Sequence, residues 1–187
     1  MANLPDPDRP LHHVFGFCPL CGTRSKNTGS IPFDCMKCGF RFHFPPTVAV
    51  GALITDPDHR LLFIERAREP GKGKLGLPGG FVDPGETAEQ AVQREVQEEV
   101  GLEVKDISFL VTFPNTYHYR GIVNDVLDLF FVCRVDSFQH LTAASSEVSD
   151  WQFAHPDDSI YRRMAFESNQ KAVRHYVQGQ KAANRKD

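Results

Sequence analysis

A chain of 187 residues with 41% hydrophobic content and fifteen phenylalanines suits one ordinary domain plus an appendage, and its composition excludes collagen-like or disordered bias. A net charge of −3 argues against wholesale nucleic-acid binding. The opening MANLPDPDRP lacks the apolar core of a signal peptide and no run approaches membrane-spanning length, so the expectation is a soluble cytoplasmic protein with no membrane partner.

Residues 1–13 are proline-rich and polar and read as a frayed arm, with His12 and His13 solvated. Next come Cys18-Pro19-Leu20-Cys21-Gly22 and, after a gap of thirteen residues, Cys35-Met36-Lys37-Cys38-Gly39. Two C-x-x-C pairs can each close a knuckle and deliver four thiolates to one tetrahedral ion. Gly22 and Gly39 supply the positive φ that turns backbone N–H groups toward sulfur. Matched knuckles favour a structural Zn²⁺ held by Cys18, Cys21, Cys35 and Cys38 over redox chemistry, and the gap is long enough for a β-hairpin. Five cysteines in all, an odd number, fit reduced thiols.

Pro45-Pro46 marks a boundary. Thr47–Thr55 and Arg60–Arg66 read as strands joined by the turn Asp56-Pro57-Asp58-His59. The loop Glu69-Pro70-Gly71-Lys72-Gly73-Lys74 has two readings. Its glycines and lysines suit close approach to a phosphate, with Arg66, Lys72 and Lys74 as substrate contacts, and they equally suit a surface loop.

Ala88–Val100 is expected to be a helix about 19 Å long. Thr87 and Gln90 form a capping-box start, and Gly101 followed by Leu102 is the stop. At roughly 100° per residue, Ala88, Ala91, Val92, Val96 and Val100 make one apolar arc. Glu95 and Glu99 project from the same side with Glu98 at its edge. Carboxylates beside an apolar stripe repel each other and resist desolvation, and a hard divalent cation removes both problems.

After the helix, Val104–Thr112 and Asp125–Val135 are strand-like, with Cys133 a small core residue. The stretch Phe113–Arg120 between them reads as an aromatic loop. Tyr117 and Tyr119 there suit stacking on a base, with hairpin packing as the alternative. Ser145–Asp150 is a loop feeding a last strand at Trp151–Phe153. His155-Pro156-Asp157-Asp158 starts a helical turn, Phe166–Val177 is an amphipathic terminal helix, and Lys181–Asp187 is a loose charged tail.

The spacing from Gly80 through Glu86 to Arg94-Glu95-Val96-Gln97-Glu98-Glu99-Val100-Gly101-Leu102 resembles a complete Nudix box, every fixed position being filled. The resemblance implies an α+β fold, the Nudix α/β/α sandwich with a mixed sheet, here preceded by a small zinc ribbon. It implies hydrolysis of a nucleoside diphosphate linked to a group X. It also implies that Gly79 (through its carbonyl), Glu95, Glu98 and Glu99 hold catalytic Mg²⁺ or Mn²⁺, with Glu86 in the outer shell and Arg94 orienting a box glutamate. The water-activating base is either a box glutamate or an acid outside the box; Glu147, in a loop before a strand, is the outside choice, with a solvated loop acid as its alternative. The expected segments are an arm at 1–13, a ribbon at 14–45, a Nudix domain at 46–180 and a tail at 181–187.

A ribbon before such a domain is similar to the NADH pyrophosphatase family. That family's Ser-Gln-Pro-Trp-Pro-Phe-Pro-type segment is absent: residues 102–116 read LEVKDISFLVTFPNT, and the only tryptophan is Trp151. NAD(H), ADP-ribose and nucleotide sugars all stay open as substrates, and a homodimer is compatible with the sequence. The reading from a different class is a nucleotide- or RNA-binding module or ligand sensor without turnover. The ribbon's four cations, Arg24, Lys26, Lys37 and Arg41, are a thin footprint for nucleic acid.

Overall fold

A computed structural model describes residues 8–143 and 146–183. In chain order the elements are β1 (Arg9–Pro10), β2 (Phe33–Asp34), β3 (Arg41–Phe42), β4 (Thr47–Leu53), β5 (Leu61–Arg66), β6 (Leu75–Gly76), α1 (Ala88–Val100), β7 (Val104–Tyr119), β8 (Ile122–Val135), β9 (Val148–Ala154), α2 (Asp158–Arg163) and α3 (Glu167–Ala183). They fall into two compact units. One runs up to Thr47 and adds Thr116–Asp125; the other takes Val48–Asn115 and the chain from Val126. Among the described residues no helix is long and apolar enough to cross a membrane.

The larger unit is the expected sandwich. Successive residues of a strand face opposite sides, and both sides here are apolar. On one face Ala52 and Ile54, Leu62 and Ile64, and Phe131 and Cys133 pack against Ala91, Val92, Val96 and Val100 of α1. On the other, Leu53, Leu61, Phe63 and Phe130 meet Ile160 and Tyr161 of α2 and Ala172 and Val173 of α3. Two sheets carry this core: β8 pairs with both β4 and β7, and β5 lies between β6 and β9. Asp157 caps α2, accepting from the Ser159 and Ile160 N–H groups, as the His155–Asp158 motif suggests. The terminal helix begins one residue later than expected and runs on to Ala183, so Lys181 is helical; the remainder of the expected tail, 184–187, lies outside the described residues.

Two expectations for the later part of the chain change. The aromatic stretch Phe113–Arg120 is not a loop. β7 continues through it to Tyr119, and Arg120 (φ 50°) and Gly121 (φ 77°) make a two-residue turn into β8. Pro114 is tolerated because, among the described residues, β7 pairs only with β8 and so has an outer edge. Ser145 lies outside the described residues, and the last strand starts at Val148.

In the smaller unit, the described end of the N-terminal arm is held. Arg9 and Pro10 pair in parallel with Ile122 and Val123, Asp8 meets His118 Nδ1 at 2.7 Å, and Leu11–His13 forms one 3₁₀ turn. Residues 1–7 of the expected arm lie outside the described residues. The hairpin expected between the cysteine pairs is replaced by two smaller devices, each wrapping one knuckle. The Phe17–Arg24 bridge encloses the first, and the β2–β3 pair, Phe33 opposite Phe42, encloses the second. Their core is aromatic: Phe15, Phe40, Phe42 and Phe44 pack around Phe33, Cys18 and Cys35.

Candidate active site

The box helix is cut as its sequence dictates. The Thr87 hydroxyl accepts from the Gln90 N–H while the Gln90 side chain accepts from Thr87 N, and Gly101 closes the helix at φ 69°. These caps fix the phase that points Glu95 and Glu99 toward the Pro78–Gly80 segment preceding the helix. That segment comes close because it is glycine there. A Cβ on Gly79 would lie 2.1 Å from the Val50 carbonyl oxygen, and one on Gly80 would lie 2.4 Å from Glu95 Oε1. Pro78 and Gly80 turn their carbonyls to Ala52 and Val50 of β4, both at 2.8 Å. The peptide N–H of Gly79, between them, faces α1 and donates to Glu99 Oε2 at 2.9 Å.

Arg94 organises the other three carboxylates. Its Nε and Nη2 reach the two oxygens of Glu86, each at 2.9 Å, in a bidentate fork. Nη1 reaches Glu95 Oε1 at 2.8 Å and Glu98 Oε2 at 3.3 Å, and Nη2 also donates to the Phe81 carbonyl. Both Glu86 oxygens are therefore engaged, one of them also accepting the Asp83 N–H, whereas Arg94 takes one oxygen each from Glu95 and Glu98.

Charge and burial diverge along the helix. Arg94 holds the Glu86 carboxyl below its ordinary range, with help from the Asp83 N–H. Burial pushes Glu95 up despite Arg94. Glu99, only 5% exposed, is pushed by burial to about 8; the Gly79 N–H pulls it down and the Glu95 charge pushes it further up. A desolvated carboxyl among oxygen donors suits a hard divalent cation, which would supply the charge that burial withholds. The glutamates are nonetheless not drawn to one point. Among the described residues the four cysteines are the one cluster of three or more His, Cys, Asp or Glu ligand atoms gathered within 4.8 Å.

Glu147, at the end of the loop before β9, is tied to the β5 side. Its backbone oxygen accepts from Ala67 N at 2.7 Å and Arg68 Nη1 donates to its Oε1 at 2.7 Å, with Ser146 Oγ also on Arg68. A bulge where Glu65 and Arg66 meet β9 re-aims the strand at this point. Arg66 donates to the Pro70 carbonyl at 2.8 Å, lies 5.0 Å over the Phe166 ring and draws on the Glu99 charge. The lysine-glycine loop is a compact turn rather than an open one: the Glu69 carboxylate accepts from Gly71 N and Lys72 N, and Lys74 N donates to the Gly71 carbonyl. Lys72 and Lys74 are exposed on it. Tyr117 and Tyr119 belong to the smaller unit, on the last turn of β7, with ring centroids 6.4 Å apart. Arg68, Phe166 and Asn169, whose side chain accepts the Leu77 N–H at 3.2 Å, carry no sequence signal because their partners are remote in the chain.

In the smaller unit Cys18 and Cys38 sulfurs lie 3.7 Å apart, as do those of Cys21 and Cys35. Gly22 N and Gly39 N return to the Cys18 and Cys35 carbonyls, both at 2.9 Å, with φ of 69° and 77°. Contact with Thr23 draws the Cys21 thiol down to about 6, whereas for Cys38 the Phe40 backbone is outweighed by burial and the neighbouring sulfurs, which push it up to about 12. The four ligand sulfurs lie within 4.8 Å of one another, a ribbon-type cluster able to hold one metal ion.

The NUDIX domain model matches residues 45–176, and the chain belongs to that family. Among individual proteins, an ADP-ribose pyrophosphatase of Methanocaldococcus jannaschii is 48% identical over 76 residues, which is 41% of this chain and 44% of that protein. The NAD-capped RNA hydrolase NudC of Haemophilus influenzae is 28% identical over 148 residues, 77% of this chain and 53% of that protein. The chain thus spans about half the length of the curated relatives it matches. A NUDIX hydrolase from Nitrosomonas europaea shares the fold with a TM-score of 0.62 at 24% identity, covering 72% of this chain and 90% of that one. The NUDIX domain of Shewanella oneidensis NrtR, solved with ADP ribose, shares it with a TM-score of 0.59 at 24% identity over 73% of this chain and 89% of that one.

Proposed function

We propose that the protein hydrolyses the pyrophosphate bond of a nucleoside diphosphate linked to X, with Mg²⁺ or Mn²⁺ on Glu95, Glu98, Glu99 and the Gly79 carbonyl, and with Zn²⁺ on Cys18, Cys21, Cys35 and Cys38. The observation that carries the reading is the placement of a buried Glu99 against the Gly79 N–H, beside glutamates gathered by one arginine. A divalent cation held there would neutralise pyrophosphate charge and polarise phosphorus for in-line attack by water.

The chain's own residues divide the remaining work. Arg94, its fork occupied by Glu86, fixes the rotamers of Glu95 and Glu98 without leaving the helix face. Gly79 and Gly80 let the backbone approach where any side chain would block it. Arg66 braces the phosphate side from the sheet, and Lys72 and Lys74 add charge at its edge. Glu147 is the proton acceptor outside the box, released from Arg68 when substrate charge competes for that guanidinium. Glu86 supports Arg94, an outer-shell task. The four cysteines would hold the zinc entirely with protein ligands and so would leave it no open position for chemistry.

For X, the named relatives make ADP-ribose and NAD-capped RNA the first compounds to offer, with the NAD(H) that the sequence left open beside them. The test is a product-resolved screen of these, with nucleotide sugars and dinucleoside polyphosphates, in Mg²⁺ or Mn²⁺. Release of nucleoside monophosphate is expected, and Glu98→Gln or Glu99→Gln should abolish it while circular dichroism stays unchanged. Wild-type turnover in both variants would sink the assignment.

A further inference from the structure

The junction between α2 and α3 contacts the glycine loop through a set of polar groups that the proposed chemistry does not use. β6, paired with β5, ends at Gly76, and the Pro78 carbonyl then accepts from Ala52 of β4, so the buried Leu77 lies between the two pairings. Its N–H is taken by Asn169 Oδ1 in the first turn of α3, at 3.2 Å. Ser168, the preceding residue and 1% exposed, points the other way and donates to Asp128 Oδ2 of β8 at 2.5 Å. The same oxygen accepts from Asn115 Nδ2 at 3.0 Å. Two donors converging on one oxygen call for an acceptor with no hydrogen of its own, and a carboxylate provides it. Just upstream, Ala165 N donates to the Leu75 carbonyl at 2.8 Å, and Phe166 lies under the Arg66 guanidinium.

We propose that the first turn of α3 is a positioning brace: Asp128 and Asn115 fix Ser168, this sets the register of Asn169, and Asn169 pins Leu77, two residues before the Gly79 N–H that meets Glu99. Ser168 and Asn169 are adjacent, so they diverge by roughly 100° around the helix. One reads the sheet and the other reads the loop, and a slip of the helix breaks both bonds together. Losing the Asn169 acceptor strands a buried N–H and frees the loop to shift. A displacement on the order of 1 Å at a catalytic constellation is enough to cost about a hundredfold in rate. Asn169 is a positioning residue, acting through Leu77 and Gly79.

The inference rests on the hydrolase reading for its consequence, but it is read out separately. The full-length protein is compared with Asn169→Leu, which removes the acceptor, and Asn169→Asp, which keeps it. Val173→Ala serves as a control, loosening the same helix from the core without touching Leu77. Amide exchange of the segment 77–80 and Mn²⁺ binding without nucleotide are measured on all four. Asn169→Leu should exchange faster at 77–80 and bind Mn²⁺ about tenfold more weakly, with KM for nucleotide little changed and kcat reduced. Asn169→Asp should restore both, and Val173→Ala should lower Tm while leaving both near wild type. If Asn169→Leu merely reproduces Val173→Ala, the brace is overturned. If the wild type turns over none of the screened compounds, the hydrolase reading falls, while the exchange comparison still decides the brace.

Discussion

Glu99 is where composition, burial and proposed chemistry meet most sharply. Its carboxyl sits among Val96, Val100 and the sheet, with a single backbone N–H on Oε2 and its value pushed up to about 8. An acid whose folded value exceeds its unfolded one binds more protons folded than unfolded in the interval between them. The Mg²⁺-free protein should therefore have the full contribution of Glu99 below about pH 4.5 and lose it progressively as pH rises through 8. Thermal melts in Mg²⁺-free buffer, with the zinc left in place, across pH 5 to 9 should show this decline, Glu99→Gln should flatten it, and added Mg²⁺ should restore stability most at the alkaline end. A wild-type slope unchanged by Glu99→Gln would place the titration elsewhere. Site residues of this kind were partly legible in sequence. The helix phase put Glu95 and Glu99 on one side, but that Arg94 would hold Glu86, Glu95 and Glu98 at once could not be read from an i,i+4 spacing with Glu98 alone. The loop to Glu86 had to fold back first.

At the scale of elements, α1 was legible to the residue because its start and stop are local chemistry. Thr87 with Gln90, and Gly101, need no tertiary partner to announce a boundary. Thr87→Ala removes one side of the capping box and should cost about 1 kcal/mol, lowering Tm by roughly 2–4 °C, a drop that thermal unfolding can resolve. Thr87→Ser should recover most of it. The β7–β8 hairpin shows the opposite case. Pro114 and the run of polar and aromatic residues around it read as a break, yet exposure alternates along β7 from Val111 to Tyr117 and pairing runs on to the Arg120–Gly121 turn. The sequence punctuates where the chain is able to stop; pairing with a neighbour decides whether it does. The brace at Asn169 was invisible for a related reason, since its partners lie 92 residues apart along the chain.

At the scale of the whole molecule, the order of ribbon then Nudix domain was readable, but the partition of the hairpin was not. Thr116–Asp125 clusters with the ribbon because Arg9–Pro10 pairs with Ile122–Val123, a contact between chain segments more than a hundred residues apart. That smaller unit has little apolar material of its own: one aromatic cluster around Phe33, Cys18 and Cys35. Domains of this size rarely hold together on such a core and draw their stability from a bound metal. The larger unit has two extensive clusters, one on each sheet face, and should not depend on the cysteine site. Removing Zn²⁺ with a chelator, or replacing Cys35 by Ser, is therefore expected to melt the smaller unit in a separate, earlier transition. Amide exchange should rise across residues 14–45, while Val92, Val96, Phe63 and Phe130 remain protected. Metal analysis should return one zinc per chain before treatment. A folded, zinc-free preparation with four freely titrating thiols would refute the structural role of the site, and a single transition shifted as a whole would show that the larger unit depends on that metal after all.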